Sequence, residues 1–320
     1  MEEQRQASVA VLIPCYNEAV TIGKVVTDFR AALPHAEVYV YDNNSTDKTA
    51  SVAREAGAIV RRETRQGKGN AVRQMFRDID ADYYILVDGD DTYPAESAHA
   101  LLEPLEHGLA DMTVGDRLSN KSYEVENKRS FHTFGNNLVR WLIKVMYHYD
   151  FSDVMTGYRG FTRAFVKTFP VTSSGFQLET EMSIHAVDNR WRIVNVPIVY
   201  RDRPAGSYSK LSTFDDGIKV ISTIASLFKD YRPMAFFSII ALLLFLLGLA
   251  AGIPVIAEYF ATHYVSKVPS AILAVGLVFS GLLSYSVGLV LDTVAKNHRK
   301  SWELQAMRYF GHRQRADQER

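Results

Sequence analysis

Two segments near the C-terminal end carry no charged side chain: residues 233–257, PMAFFSIIALLLFLLGLAAGIPVIA, and residues 268–291, VPSAILAVGLVFSGLLSYSVGLVL. At ~1.5 Å of rise per helical residue, each outreaches the ~30 Å hydrocarbon core of a bilayer. A chain with two such stretches must bury them in protein or lay them in lipid. The stretch EYFATHYVSK between them is long enough only for a tight return, so the expected element is a transmembrane hairpin. Lys229 and Arg232 precede it, Lys296, Arg299, Lys300 and Arg308 follow it, and the loop holds one Glu and one Lys, which places both chain ends in the cytoplasm. The alternative is two buried helices of a soluble core.

Upstream, Phe214, Ile218, Ile221, Ala225 and Phe228 recur at helical spacing, an amphipathic stripe that would lie in the membrane interface or pack on a globular domain. The boundaries expected are a globular domain over 1–211, a juxtamembrane helix over 212–232, the hairpin over 233–291 and a basic tail over 292–320.

With 47% apolar residues the chain can bury a sizeable core, and its 36 basic and 36 acidic residues cancel, which argues against a nucleic-acid partner held by overall charge. The single cysteine, Cys15, excludes an intramolecular disulfide and is expected as a buried thiol. The acidic N-terminus has too short an apolar run for a secretory signal, so the globular domain is expected to stay in the cytoplasm.

Residues 1–115 alternate in kind: SVAVLI (8–13), AEVYVYD (36–42), AIVRR (58–62), DYYILVD (82–88) and ADMTVG (110–115) read as strands, with helical stretches from Glu18, Thr46, Gly67 and Pro94 between them. Such alternation implies right-handed crossovers and a mostly parallel sheet, an α/β fold with ligands bound beyond the carboxyl ends of the strands. The polar clusters 14–18, 42–45 and 88–91 all fall at that edge. No G-x-G-x-x-G follows a strand and no P-loop motif exists, so neither a dinucleotide fold nor a P-loop NTPase is favoured. RQGKGN at 65–70 is by itself a weak phosphate-binding signal.

YILVDGDDTYP, residues 84–94, ends an apolar strand in Asp88, Asp90 and Asp91. Three carboxylates at one strand end repel one another unless a cation sits between them, and Mg²⁺ or Mn²⁺ completed by phosphate oxygens would resolve the conflict. Asp91 is also suited to the N-terminus of the helix after Pro94. On this reading, removing the Asp90 charge should raise the stability of the metal-free protein.

PCYNE, DNNSTDKT, RQGKGNA, the D-x-D of VDGDD, GDR at 115–117, TGYRGFTR at 156–163 and RPAGSYSK at 203–210 occur in an order that resembles inverting glycosyltransferases of family 2 with a GT-A fold. More narrowly the chain is similar to the dolichyl-phosphate mannose synthase and polyprenyl-phosphate glycosyltransferase branch. The resemblance implies a GT-A domain followed by the interfacial helix and hairpin, and a cell-membrane, multi-pass protein. It implies that Pro14, Tyr16 and Glu18 line the nucleotide, that Asp42 faces its base, and that Lys68 and Gly89 belong to the nucleotide-sugar set with Asp88 and Asp90. Asp88 and Asp90 would hold Mg²⁺ or Mn²⁺, and Thr92 stands where relatives often have a metal-binding Gln. Arg117, Arg129, Arg203 and Lys210 match the basic residues around the acceptor phosphate, although RPAGSYSK is one residue longer than the usual R-x-x-G-x-S-K. Asp90, Arg117 and Arg203 are the expected catalytic residues; Glu179 and Glu181 are either a base or sugar contacts, or helix residues that are simply solvated or paired.

The activity so implied is inverting transfer of one sugar from a nucleotide sugar to polyprenyl phosphate, with UDP-glucose or UDP-N-acetylglucosamine favoured as donor and GDP-mannose the alternative. The product would serve as a lipid-linked sugar donor for cell-envelope or protein glycosylation. A phosphate monoester has its second pKa near ~6, so it is already a nucleophile at neutral pH and needs no general base. The expected partners are nucleotide sugar, lipid phosphate and the membrane, with a homo-oligomer left open. Alternatives are a processive polysaccharide synthase, against which Val187 stands where Q-x-x-R-W needs Gln, and a catalytically silent sugar-nucleotide-binding scaffold.

Overall fold

A computed structural model of the chain describes residues 7–119, 130–175, 177–204 and 225–318. The chain divides into two units, Met1–Gly217 and Ile218–Arg320.

In the first unit, β1 (Val9–Cys15), α1 (Ile22–Ala32), β2 (Glu37–Asp42), α2 (Thr49–Glu55), β3 (Ile59–Arg62), α3 (Lys68–Asp78), β4 (Tyr83–Leu86), α4 (Ala98–Glu106) and β5 (Met112–Asp116) follow the expected alternation. Then come α5 (Ser130–Tyr147), β6 (Arg159–Thr162), α6 (Arg163–Thr168), α7 (Leu178–Asp188) and β7 (Ile193–Pro197). The sheet runs β3-β2-β1-β4-β6-β5-β7, so the chain winds outward from β1 through β2 to β3 and returns to β4 on the other side of β1. That reversal is where an open α/β sheet leaves a crevice.

Both faces of the sheet are covered, which is why Ala10, Val11, Leu12 and Ile13 are all buried and the strand reads as a continuous apolar run. On one face α1 lays down Ile22, Val25, Val26 and Phe29, a helical stripe, against Val11, Ile13, Val38 and Val40. On the other, Phe76, Phe161, Phe165 and Phe169 pack edge-on or stacked with ring centroids 5.0–6.4 Å apart. Fully burying one such side chain contributes about 1.5–3 kcal/mol.

Two of the six strand pairings are antiparallel, and both involve β6. Because β6 runs backwards, its first residue, Arg159, pairs with the last of β4, Leu86. Residues 153–158 are thereby delivered to the carboxyl edge, the edge that β7 also reaches by running parallel to β5.

The second unit contains helical residues 225–231, then α8 (Pro233–Thr262) and α9 (Val268–Gln318). Both long helices are apolar enough to cross a membrane. They pack as a hairpin through glycines: a Cβ on Gly248 would lie 2.7 Å from Val278 Cγ2, on Gly281 3.0 Å from the Ala241 carbonyl, and on Gly288 2.9 Å from Phe237 Cβ. Small residues that let two backbones approach are the usual device of helix pairs in lipid. The stretch expected as a tail from 292 is helical, continuous with α9 as far as Gln318. Most of the expected juxtamembrane helix lies outside the described residues.

Candidate active site

Three neighbouring strand exits each carry a left-handed residue: Asn17 after β1 (φ 53°), Asn44 after β2 (φ 64°) and Asp91 after β4 (φ 59°). Asn and Asp are the non-glycine residues that adopt this region most readily. The first two loops are tied together, since Asn17 N donates to Ser45 Oγ at 2.9 Å, Thr46 N to Asn17 Oδ1 at 2.8 Å and Glu18 N to Thr49 Oγ1 at 2.8 Å. Asp42, buried at the end of β2, accepts from Ser45 N at 3.2 Å. Pro14, Tyr16 and Glu18 are half-buried on the β1 exit beside it. Gly89 is buried against Cys15: a Cβ there would come within 2.7 Å of Sγ, and its carbonyl accepts from Thr21 Oγ1 at 2.6 Å. Cys15 is buried as expected.

The three carboxylates after β4 do not converge on one point; each meets a cation from a different element. Asp88 Oδ1 lies 2.5 Å from Lys68 Nζ, at the start of α3. Asp90, only 5% exposed, accepts at Oδ2 from Arg203, with Nε at 2.8 Å and Nη2 at 2.6 Å, and at Oδ1 from Thr92 Oγ1 at 2.6 Å. Asp91 Oδ1 lies 2.8 Å from Lys24 Nζ on α1. Asp91 thus has a partner in Lys24 that the sequence reading did not foresee. The mutual repulsion expected from sequence is thus compensated within the chain, which argues against the gain in stability expected on neutralising Asp90, because Asp90→Asn would leave Arg203 without this partner.

Lys68 is itself shared, its Nζ also lying 2.6 Å from Glu179 Oε1 in the first turn of α7. Burial opposes the Lys68 charge most strongly, but Asp88 and then Glu179 outweigh it and hold the pKa well above the ordinary lysine value. Behind Asp88 stands Gly157, whose missing side chain is required, since a Cβ there would overlap the carboxylate, 2.9 Å from Cγ. Glu181, the other carboxylate of α7, accepts from Thr172 N at 3.0 Å and Ser173 N at 2.9 Å. This fixes the 172–174 segment, whose Ser174 carbonyl receives Gly69 N at 3.0 Å. Glu179 and Glu181 are therefore paired and buried, the structural half of their sequence reading.

Arg117 donates to Asp153 from Nε at 2.6 Å and Nη2 at 3.1 Å, with its guanidinium carbon 5.3 Å from the Tyr200 ring centre. Asp153 is fully buried and gives no sign of itself in the sequence. Arg159, inside TGYRGFTR, is also fully buried, donating to the Thr156 and Val154 carbonyls and Ser183 Oγ; burial pulls its pKa down to about 10. Arg129 and Lys210 lie outside the described residues.

Among the described residues no group of three or more His, Cys, Asp or Glu is placed to share a metal ion. The site nevertheless fits Mg²⁺ or Mn²⁺ held by one protein carboxylate. Asp90 is a hard oxygen donor in a buried position, its counter-ion Arg203 is on a mobile-length side chain one third exposed, and such ions take most of their ligands from substrate phosphates and water.

Residues 10–169 match the family described as Glycosyl transferase family 2. Glycosyltransferase AglJ of Haloferax volcanii is 32% identical over 294 residues, 92% of this chain and 95% of that protein. A dolichyl-phosphate hexose transferase of the same organism is 30% identical over 233 residues, covering 72% of this chain and 99% of the relative. Among solved structures, Mycobacterium tuberculosis glucosyl-3-phosphoglycerate synthase with Mn²⁺, UDP-glucose and phosphoglyceric acid superposes with a TM-score of 0.55 at 21% identity, over 70% of this chain and 79% of that one; it shares the fold. The chain belongs to glycosyl transferase family 2.

Proposed function

We propose that the protein transfers a single sugar, with inversion, from a nucleotide sugar to a polyprenyl phosphate, and that α8 and α9 anchor it in the cell membrane with the catalytic unit and both ends cytoplasmic. The observation that carries this reading is the Asp90–Arg203 pair, which sets a buried carboxylate suited to a cation beside a guanidinium suited to a phosphate. The relatives named for dolichyl-phosphate hexose transfer and undecaprenyl-phosphate mannosyl transfer support the acceptor, and neighbours crystallised with Mn²⁺ and UDP-glucose support a metal and a uridine donor. The basic residues that flank the hairpin support the orientation.

In this reaction the acceptor phosphate oxygen forms a bond to the anomeric carbon as the bond to the donor diphosphate breaks, so no protein nucleophile is needed. A bound Mg²⁺ or Mn²⁺ would neutralise charge on the leaving diphosphate, with Asp90 as its protein ligand. Lys68, Glu179 and Gly157 hold the Asp88 carboxylate in one orientation, able to accept hydrogen bonds from donor hydroxyls. Arg203 supplies positive charge where phosphate meets diphosphate, the positioning and compensation that such transfers require. Arg117, braced by Asp153, adds a second guanidinium to the same set.

The test is to incubate the purified full-length protein in detergent with undecaprenyl phosphate and, separately, UDP-glucose, UDP-N-acetylglucosamine and GDP-mannose, with Mg²⁺ or Mn²⁺. One sugar per lipid, lost on chelation, is expected. A polymeric product, or donor hydrolysis indifferent to the lipid, would overturn the reading.

A further inference from the structure

Asp90 has no unused capacity. Its Oδ2 receives both Arg203 nitrogens, at 2.8 and 2.6 Å, and its Oδ1 receives Thr92 Oγ1 at 2.6 Å and Thr92 N at 3.3 Å. Burial opposes the Arg203 charge, yet the Asp90 carboxylate more than compensates. Asp90 therefore holds the Nε–Nη2 edge of Arg203, and a cation that takes this carboxylate, or a phosphate that takes this bidentate edge, can enter only by separating the two. We propose that the Asp90–Arg203 pair is a latch on the acceptor site: the bidentate Nε–Nη2 edge of Arg203 becomes available to the acceptor phosphate only after the donor's cation has taken its place on Asp90.

This rests on the reading above of which ligands the site takes, and it adds an order and a coupling to it. Donor binds first, and donor and acceptor strengthen each other's binding by one common factor, as linkage requires. The latch also protects the site: with Arg203 closed on Asp90, a lipid phosphate that arrives alone meets a net-neutral pair rather than an uncompensated guanidinium. Thr92 is the positioning residue, since by fixing Oδ1 it turns Oδ2 toward Arg203.

The experiment measures binding, not turnover. Full-length protein in detergent is titrated with farnesyl phosphate, alone and in the presence of saturating MnCl₂ with UDP or with GDP. For the wild type, the metal nucleotide should tighten farnesyl phosphate binding by a factor in the usual range for coupled sites, about 5- to 150-fold. Asp90→Asn, which releases Arg203, should bind farnesyl phosphate without any nucleotide at least as tightly as the loaded wild type, a gain of binding that a merely structural role would not produce. Equal binding by free and loaded wild type overturns the latch and leaves the acceptor assignment standing. Wild type and variant both failing to bind farnesyl phosphate in every condition overturns the acceptor assignment and the latch with it. Weaker binding by the loaded wild type than by the free protein overturns the latch as well, because Arg203 would then have moved to the donor diphosphate. The wild-type comparison needs no variant, so an Asp90→Asn protein that fails to fold leaves the latch testable.

Discussion

Asp90 and Arg203 stand 113 residues apart in sequence and meet through both Nε and Nη2 of the guanidinium on a single carboxylate oxygen. Asp90 leaves the end of β4, Arg203 follows β7, and only the sheet order brings those two exits to one edge. Neutralising Asp90 leaves the half-buried Arg203 charge without its partner. Asp90→Asn should therefore lower the stability of the metal-free protein by about 1–2 kcal/mol, less than for a buried pair because the guanidinium is partly in water, and abolish metal-dependent transfer. Thermal melts of both proteins in the presence of a chelator decide the sign; a more stable variant would mean that the pair costs more in desolvation than it returns.

Asp91 should behave differently, although it is the adjacent residue. Its partner Lys24 is 53% exposed, so the pair is worth about 0.2–1 kcal/mol. Its left-handed backbone suits glycine better by a comparable amount. Asp91→Gly should keep stability within about 1 kcal/mol of wild type and retain transfer. An inactive, well-folded Asp91→Gly protein would show that this carboxylate, not Asp90, is the one the reaction needs.

Gly157→Ala tests the brace behind Asp88. The added Cβ would overlap the carboxylate, which must swing away from Lys68 or push the 156–158 backbone back. Overpacking of this kind costs about 1–3 kcal/mol. Binding of nucleotide sugar should fall while the melt remains a single transition, and equilibrium binding of UDP-glucose, UDP-N-acetylglucosamine and GDP-mannose measures it. Undiminished donor binding would show that the orientation of Asp88 is irrelevant to the donor.

The reasons these sites were or were not legible in the sequence are physical. The first strands and helices announce themselves through local pattern: the run expected at 8–13 is β1, Val9–Cys15, and the helix expected from Gly67 begins at Lys68. Polar clusters at 14–18, 42–45 and 88–91 fall at the carboxyl edge because parallel strands must all exit there. Strand β6 has a pattern no different from its neighbours, and its reversed direction depends on a long connection that carries no local signal. Its consequence, Gly157 behind Asp88, was hidden for that reason, although TGYRGFTR marked the spot. Partner identities were less legible still. Lys24 and Asp153 are ordinary charged residues, and Lys68 only an expected nucleotide-sugar contact, until the sheet order places them opposite Asp91, Arg117 and Asp88.

Lys68 gives a pH signature. Its pKa is higher in the folded protein than in the unfolded chain, so its stabilising contribution is fully present below the unfolded value of ~10.4 and is lost as pH rises through the raised folded value. The melting-temperature gap between wild type and Lys68→Met should stay constant from about pH 7 to pH 10 and narrow only above ~10.4. A gap that already closes near neutral pH would mean that Lys68 is held uncharged between Asp88 and Glu179.

The hairpin can be tested by contrasting two glycines. On α8, Gly248 faces Val278 and the Ala274 carbonyl so closely that a Cβ would lie 2.7 and 3.2 Å away, whereas on α9 Gly276 has nothing within 4 Å of the same position. Gly248→Ile must force the helices apart, at a cost of about 1–3 kcal/mol. Gly276→Ile adds a side chain to open surface and should leave helix packing unchanged. Unfolding of each full-length variant in detergent, together with proteolysis of the 263–267 loop, reads the difference. If the hairpin positions the catalytic unit for its lipid acceptor, Gly248→Ile should also slow transfer to undecaprenyl phosphate while nucleotide binding stays at the wild-type level, and Gly276→Ile should change neither. Equal sensitivity of both positions would show that the close glycine contacts do not hold α8 and α9 together.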